Sequence, residues 1–570
     1  MTDKRINITQ RVLLKLDSDS IHEYIFSTGK LKQIQGASKL IDDLIFNLLP
    51  HKMEADQDKE IIIQGGGNLL VEYSFSDTIS DDMIAKRMDE HVKMLCDYYE
   101  QETCGATITG AWVEYQQEEY FSTALEELNQ KITWKKGIPS PPSLLPGGSY
   151  LKRCESCGKE TCYRFDSASN RFLCFNCVNK ETKSEKSEEA LSKEKSKQVS
   201  NSGTKRWPEC WPEYAANDWS KMDVEEYYRR LPASFEDLVK DEKEGEKWLG
   251  LIYFDGNGMG ETLSAIKQKE KLKQFSCKVD KALNRSVVDT LSCLFSYSET
   301  GKKAPFNVLM LGGDDLVLLI KPKKACQAAE QIIDKFEKYT AKYGFPLTAS
   351  AGIVFFHYKY PIAKVIHAGK ELLKNAKRHA CEKNIKKMMA GRELPGSTVD
   401  FTLLGDPGSE NPEVYRKKLR QRVTACSQGV EQPYLFCRPY EVSAFRELLE
   451  KIKNLKNKDA KLKDAKLSAS RLNRLRQGVL AGRAKAMYTT LHAIVHGTSS
   501  QLRKNLKDSL MYGGGRKPID LFEPPYVIEK IKNEDKEIRR TVVLDIADLF
   551  PFVGDDYCKR TDENDIRVEL

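Results

Sequence analysis

The sequence has no long hydrophobic run. No apolar stretch among its 570 residues approaches the roughly 20 residues that a helix needs to cross a bilayer. The N-terminal segment also lacks the uninterrupted apolar core of a secretion signal. Fifteen cysteines are scattered along the chain, and together these features favour a reducing compartment. We therefore expect a cytoplasmic protein with no membrane partner.

The net charge is small for so highly charged a chain. The 91 Lys and Arg residues nearly balance the 83 Asp and Glu residues, which leaves a formal charge of +8. The position of the basic residues therefore matters more than their total. They gather in the C-terminal third, and include Arg471, Arg474, Arg476, Arg483 and Lys485. Such side chains suit a nucleic-acid backbone, a partner subunit or simply solvent, and the sequence leaves all three open.

One order of elements occurs twice. In the first copy a strand that ends at Asp17 precedes a hairpin that turns at residues 65–68. In the second copy a strand that ends at Asp255 precedes a hairpin that turns at residues 312–315. We interpret the two as copies of one α/β module, of which only the second keeps a carboxylate pair at its turn.

The length predicts three or four units at about 150 residues each. We predict an α+β multidomain protein with boundaries at 1–148, 149–245, 246–405 and 406–570: the first module, a cysteine-rich insert, the second module and a helical C-terminal domain. Within the insert, the Lys-, Ser- and Glu-rich run 180–205 is too polar to bury a core, so we expect a disordered linker or surface loop. Helical periodicity over 442–455 and 468–495 predicts the last domain.

The second hairpin carries the strongest chemical signal. Asp314 and Asp315 follow Gly312 and Gly313 between two apolar strands, and Asp255 ends a neighbouring buried strand. Asp and Gly are common turn residues, so the tip alone indicates little. Three carboxylates at buried strand ends are costly unless cations compensate them. We therefore predict that they hold two Mg²⁺ or Mn²⁺ ions for phosphoryl chemistry.

Phosphate-binding groups are expected beside these carboxylates. The glycine-rich loop that follows Asp255 leads into a helix, where backbone amides attract anions; its candidate residues are Gly256, Asn257, Gly258 and Gly260. Gly312 and Gly313 bring backbone close to phosphate oxygens in the same way. Lys370, Lys374 and Lys377 share one helix face. A solvated face explains the first two equally well, and we select only Lys377.

Two cysteine pairs predict a zinc ribbon. Cys154 and Cys157 form one pair, Cys174 and Cys177 form the second, and sixteen residues separate the pairs. This spacing is typical of a structural four-cysteine Zn²⁺ site. Disulfides are disfavoured in a reducing compartment. Cys162 is a further thiol between the pairs that does not complete another pair.

The combination resembles the large subunit of type III CRISPR effector complexes. The resemblance rests on residues 17–27 (DSDSIHEYIFS), residues 32–38 (KQIQGAS), the four-cysteine insert, Asp255 and the Gly-Gly-Asp-Asp turn. It implies two ferredoxin-like palm domains of the nucleotidyl cyclase type, a zinc insert and a helical domain. It also implies synthesis of cyclic oligoadenylate from ATP as an antiviral second messenger, with guide or target RNA and other effector subunits as partners.

The same resemblance implies further binding residues. In the second palm it adds Ser350 and Lys377 to the nucleotide pocket, and in the first palm it implies that a second nucleotide contacts Ser38, Gly66, Gly67 and Asn68. Many relatives begin with a His-Asp nuclease domain, but none of the eight histidines here precedes Asp, so we expect no DNA cleavage. Two alternatives stay open: a mononucleotide or dinucleotide cyclase, since the turn also resembles the GGDEF signature of diguanylate cyclases, and a non-catalytic scaffold that binds nucleotide or RNA.

Overall fold

A computed structural model describes residues 10–53, 59–75, 80–116, 118–138, 151–167, 169–190, 207–215, 217–222, 224–243, 247–296, 303–383, 385–389, 391–405, 411–426, 435–456, 466–510, 525–530 and 537–554. Within these residues, no helix combines the length and the apolar character that are needed to span a membrane.

The first sheet unit is a four-stranded antiparallel sheet with helices on both faces. Its elements are β1 (Gln10–Ser18), α1 (Ile21–Ile25), α2 (Leu31–Asp43), α3 (Leu49–Lys52), β2 (Lys59–Gly65), β3 (Asn68–Phe75), α4 (Asp81–Thr103), β4 (Ile108–Tyr115) and α5 (Phe121–Gly137). The strand order is β2-β3-β1-β4, and the chain order is that of a ferredoxin-like fold. Leu14 packs with α2 and α4, whereas its neighbour Leu13 packs with α5, because successive side chains of a strand point to opposite faces.

The insert follows as a small hairpin and short helices. These are β5 (Arg164–Asp166), β6 (Arg171–Leu173), α6 (Phe175–Ala190), α7 (Trp211–Tyr214), α8 (Val224–Arg230) and α9 (Phe235–Val239). The expectation of disorder from residue 180 was wrong for residues 180–190, which continue α6. The helix packs on α2 so closely that a Cβ at Gly36 would lie 1.8 Å from the Lys180 carbonyl oxygen. Docking on α2 thus outweighs the polar composition; residues 191–205 lie outside the described residues.

The second sheet unit repeats the plan of the first. Its elements are β7 (Trp248–Asn257), α10 (Met259–Ala265), α11 (Lys269–Leu294), β8 (Phe306–Gly312), β9 (Asp315–Ile320), α12 (Pro322–Lys342), β10 (Thr348–His357), α13 (Ile362–Glu382), β11 (Lys386–Met389), β12 (Arg392–Pro395) and β13 (Thr398–Leu404). The strands β8-β9-β7-β10 have the same order as the first sheet, and β13 extends them in parallel to β10.

The C-terminal region mixes helices with short strands. Its elements are α14 (Pro412–Cys426), β14 (Tyr440–Glu441), α15 (Val442–Lys456), α16 (Ala469–Leu480), α17 (Arg483–Val495), α18 (Ser500–Leu510), β15 (Tyr526–Lys530), β16 (Glu537–Thr541) and α19 (Val543–Leu549). The helix predicted over 442–455 is α15, but the one predicted over 468–495 is two helices, since the chain turns at Gly482 with φ of 105°. Strand β14 pairs with β13, so the region is not purely helical. The four predicted domain boundaries stay predictions.

Candidate active site

The three predicted metal-binding carboxylates converge at one edge of the second sheet. Asp255 lies near the end of β7, while Asp314 and Asp315 lie at the β8–β9 turn, where Gly312 and Asp315 form the closing pair. Strand β7 pairs with β9 up to Phe254 and Leu316, which brings Asp255 opposite the turn. The Asp255 carboxylate is within hydrogen-bonding reach of both Asp314 and Asp315. Carboxylates that lie 60 positions apart in the sequence, Asp255 and Asp315, thus belong to one anionic cluster.

Burial and mutual repulsion raise the proton affinity of this cluster. The pKa of Asp315 is raised to about 7, first by burial and then by the charge of Asp255. Burial, followed by the charges of Asp255 and Asp315, also raises the pKa of Asp314 well above its ordinary value. Carboxylates held this close resist ionising together unless a cation joins them. The donor set, three carboxylates with hard oxygen ligands, fits Mg²⁺ or Mn²⁺.

Lys377 is the cation nearest to the cluster. Its Nζ donates to Asp255 Oδ2 at 2.5 Å and to the carbonyl oxygen of Gly256 at 2.7 Å. Lys370 and Lys374, on the same helix α13, are exposed. The structure therefore places the one selected lysine at the carboxylates.

The glycine-rich loop is shaped by close packing and by one left-handed residue. A Cβ at Gly256 would lie 2.9 Å from Asp314 Oδ2, so only glycine lets the turn approach the strand this closely. Gly258 has φ of 69° and precedes α10, in which Gly260 is exposed. The backbone of this loop, rather than its side chains, faces the carboxylates.

Side-chain hydrogen bonds of Asn257 and Ser350 hold the loop in place. Ser350 is fully buried, and its hydroxyl donates to Asn257 Oδ1 at 3.0 Å. Asn257 in turn donates to Thr348 Oγ1 at 3.2 Å. These hydrogen bonds fix the path of the loop. The predicted nucleotide contacts of Ser350 and of the Asn257 backbone stay predictions.

Asp280 is a buried carboxylate that the sequence did not reveal. It lies on α11, accepts a hydrogen bond from the Gly313 amide at 3.3 Å, and is held by Asn284 Nδ2 at 2.9 Å. Burial raises its pKa to about 7. It anchors the turn that carries Asp314 and Asp315. In the sequence, Asp280 stands out only as an acidic residue on the apolar face of a long helix.

The turn of the first sheet unit directly meets the turn that carries Asp314 and Asp315. A Cβ at Gly312 would lie 3.1 Å from the amide nitrogen of Gly66 and 3.2 Å from its Cα. Gly67 has φ of 77°, and Asn68 closes the hairpin opposite Gly65. Ser38 lies on α2, which packs beside β8. The predicted second-nucleotide residues therefore lie around the junction of the two units.

A second contact across this junction was also missed. His22 of α1 stacks on Tyr253 of β7, and Tyr253 Oη lies 2.7 Å from His22 Nδ1. Tyr253 is two residues from Asp255 on the same strand. Burial lowers the pKa of His22, and the charge of Lys370 adds to this effect. Sequence spacing does not predict a contact between residues that lie 231 positions apart.

Residues 248–386 match the family model of the Cas10/Cmr2 second palm domain. This segment is Cas10-like. That match spans Asp255, Asp314, Asp315 and Lys377, so the second sheet unit is hereafter the second palm. No curated protein matches the sequence.

Solved structures resemble this chain in fold. Csm1 from T. onnurineus aligns with a TM-score of 0.50 and 15% identity over 86% of this chain and 64% of that chain. A Csm1–Csm4 cassette in complex with cA4 aligns over 90% of this chain and 71% of that one, with 15% identity and a TM-score of 0.46. The apo type III-B Cmr-beta structure aligns over 95% and 81%, with 12% identity and a TM-score of 0.47. The chain thus spans about two thirds of the length of that Csm1.

The four predicted zinc cysteines form a compact cluster outside the Cas10-like palm. The Sγ atoms of Cys154, Cys157, Cys174 and Cys177 lie within 4.8 Å of one another, and three of the four residues are buried. The amides of Ser156 and Cys177 each donate to a cluster sulfur at 3.4 Å, as in a zinc knuckle. Cys162 is not part of the cluster. The geometry fits a structural Zn²⁺ ion.

Lys180 adds an independent argument for metal at this cluster. Its side chain is fully buried, and its Nζ donates to the Tyr24 carbonyl at 2.6 Å and to Ser27 Oγ at 2.9 Å. Both acceptors are neutral. Burial lowers the pKa of Lys180 to about 8, and the charges of the cluster cysteines partly oppose this effect. A buried ammonium needs a counter-charge, which a zinc-bound tetrathiolate supplies. Lys180 therefore links the zinc insert to the first sheet unit.

Proposed function

We propose that this chain is the nucleotide-polymerising large subunit of a type III CRISPR effector, and that it joins ATP into cyclic oligoadenylate. The observation that carries the proposal is the convergence of Asp255, Asp314 and Asp315 beside Lys377 within the segment that matches the Cas10/Cmr2 second palm. The ATP preference and the cyclic product come from the family resemblance.

The carboxylate geometry favours catalysis over a scaffold role. The raised pKa values of Asp314 and Asp315 mean that these ionised carboxylates destabilise the folded protein in the absence of cations. A scaffold gains nothing from that arrangement. A metal-dependent nucleotidyltransferase needs it, since clustered carboxylates are what hold divalent ions.

Each group has a distinct part in the proposed reaction. When bound, the divalent ions would activate the attacking 3′-hydroxyl and stabilise the charge of the triphosphate. Asp255, Asp314 and Asp315 would hold those ions. Lys377 would bind phosphate oxygens, and Gly256 and Gly312 allow the close backbone packing that brings the loop and the two hairpin tips together. No histidine or cysteine base is required, because positioning and electrostatic stabilisation supply most of phosphoryl-transfer catalysis.

RNA and other effector subunits are proposed as the controlling partners. The candidate surface for them is the basic face of α16 and α17, where Arg474, Arg483 and Lys485 are exposed. Electrostatic contact with a nucleic-acid backbone weakens with salt. Salt-sensitive RNA binding that is lost on reversing these charges would favour RNA over a protein partner.

The test is product formation by the purified protein. Each NTP is incubated with Mg²⁺ or Mn²⁺, with and without RNA, and products are identified by mass spectrometry. We expect adenylate oligomers and rings from the wild type. The double variant D314N/D315N should lose at least about 100-fold in rate, because even outer partners of metal ligands typically contribute 10–100-fold. The control variant D241N, which changes an exposed aspartate of the insert, should retain the rate.

The product pattern separates the alternatives. A mononucleotide or dinucleotide ring as the sole product would favour a cyclase of shorter products. No product under any condition, or equal rates for the wild type and D314N/D315N, would refute the enzymatic proposal.

A further inference from the structure

The two sheet units correspond residue by residue at the active edge. Gly65 pairs with Asn68 in the first hairpin as Gly312 pairs with Asp315 in the second. Asp17 lies opposite Thr109 in the first sheet as Asp255 lies opposite Ser350 in the second. Asp17 is therefore the counterpart of Asp255, and Asn68 is the counterpart of Asp315.

The loops after these aspartates correspond as well. Ser20 has φ of 47° and precedes α1, as Gly258 has φ of 69° and precedes α10. One residue earlier, Asp19 accepts hydrogen bonds from Thr107 and Thr109 at 3.0 Å. Asn257 makes the equivalent contacts with Thr348 and Ser350. Asp19 thus occupies the place of Asn257.

Lys136 reproduces the contacts of Lys377. Its Nζ lies 2.8 Å from Asp17 Oδ1 and 3.4 Å from the Ser18 carbonyl oxygen, just as Lys377 contacts Asp255 and the next carbonyl. Each lysine comes from the helix that follows the fourth strand of its unit, α5 or α13. Lys136 also lies 3.2 Å from Asp19 Oδ1.

The charge balance of the two sites differs. In the second palm three carboxylates face one ammonium, which leaves negative charge for divalent ions. In the first unit the hairpin carboxylates are replaced by Gly67 and Asn68. The remaining Asp17 and Asp19 face two ammonium groups, since Lys15 Nζ lies 3.9 Å from Asp17 in addition to Lys136. The first site is balanced without any divalent ion.

Lys136 is placed where it can meet a ligand at the junction. It lies at the same sheet edge as the tip that contains Gly66, and this tip contacts Gly312 of the second palm. Its side chain is 32% exposed, so the ammonium is accessible. Lysine carries a compact charge on a flexible four-carbon stem and binds phosphate as well as carboxylate oxygens.

We propose that Lys136 is a phosphate-binding residue of the first sheet unit, and that it holds a nucleoside triphosphate there without a divalent cation. This inference rests on the proposed function in one respect, that nucleotides enter the junction. It adds that the two nucleotides are held by different cations, an ammonium in one unit and metal ions in the other.

The experiment counts bound nucleotides by calorimetry with a non-hydrolysable ATP analogue. Wild-type protein should bind one analogue in buffer freed of divalent ions and two when Mg²⁺ is added. The variant K136M should lose the Mg²⁺-independent nucleotide, with its affinity reduced at least tenfold, and should keep the Mg²⁺-dependent one. The control K131M changes an exposed lysine one turn earlier on α5, paired with Glu127, and should bind as the wild type does.

The variant D19N separates phosphate binding from a purely structural ion pair. It gives the first site the asparagine that the second palm already has, and it removes a negative charge beside the phosphate. We expect tighter Mg²⁺-independent binding, by severalfold, and partial binding by K136R. If K136M binds the analogue without Mg²⁺ as the wild type does, if D19N weakens binding, or if K136M weakens only RNA binding, the inference is wrong. A lack of product with intact analogue binding would refute the proposed function and leave this inference standing.

Discussion

Replacing Asp315 with Asn should make the metal-free protein more stable, although it should abolish activity. The pKa of Asp315 is raised to about 7 from an ordinary value of 3.8, first by burial and then by the charge of Asp255. Asn has nearly the same size and carries no charge. The hairpin pair that Asp315 forms with Gly312 uses backbone groups, so the substitution leaves it intact.

The direction of the pKa shift determines whether Asp315 stabilises or destabilises the folded protein. A carboxyl whose pKa is raised on folding binds its proton more tightly in the folded state, so ionisation penalises that state. The penalty is absent below the unfolded pKa of 3.8, grows as the pH rises, and is complete above about pH 7. A rise in pKa from 3.8 to about 7 corresponds to about 4 kcal/mol in the free energy of unfolding. Because the side chain keeps some contact with solvent, we expect about half of this, about 2 kcal/mol.

Thermal unfolding without divalent ions is the assay. At roughly 2–4 °C per kcal/mol for a unit of 150–250 residues, the second palm of D315N should melt about 4–8 °C above that of the wild type at about pH 8. The difference should be smaller at about pH 5, where the penalty is only partly developed. Adding Mg²⁺ should close the gap, because the ion stabilises the wild-type carboxylates. D241N should melt with the wild type throughout. A D315N variant that melts at or below the wild type at about pH 8, or a gain that does not change with pH, would refute the reasoning.

Three further predictions concern the junction, the insert and the C-terminal region. In G312V the new side chain meets the backbone of the first hairpin, whose nearest atom lies 3.1 Å from a Cβ at this position, so product formation should fall more than about tenfold. The control G405A changes an exposed glycine with open space around its Cβ and should not alter product formation. In K180M the zinc cluster loses its buried counter-charge, so we expect a lower melting temperature and faster zinc release to a chelator. The control K183M changes a partly exposed lysine of the same helix. Equal zinc release from the two variants would contradict the link between Lys180 and the zinc cluster. R438M leaves a buried aspartate of α19 without its cation and should cost about 3–5 kcal/mol in denaturant unfolding; a loss under about 1 kcal/mol would contradict this.

The features predicted correctly from the sequence are those with local signals. Turn chemistry identified the tip at Gly312 and Asp315, and cysteine spacing identified the pairs at Cys154 and Cys174. Periodicity placed most strands and helices of both units, because alternation and helical repeats depend on the chain itself. These signals were sufficient to recognise the Cas10-like palm.

The features that were missed depend on packing between distant segments. Asp280 supports the catalytic turn from a helix, and His22 crosses to Tyr253 from the other unit. Neither contact follows from sequence spacing. Composition was misleading at Lys180, where a polar run begins inside a docked helix. The burial of Ser350 was also not predicted, since a motif identifies a residue without giving its exposure; its nucleotide contact stays a prediction.

The glycine contact between the two hairpin tips has a consequence for the direction of the proposed reaction. In an assembly of two identical halves, either nucleotide could act as donor or acceptor. Here Gly66 faces Gly312, but only the second tip carries carboxylates. A pair of nucleotides at this junction therefore has one orientation in which the metal ions reach the reacting phosphate. Chain growth would proceed in one sense, with pyrophosphate always leaving from the second palm.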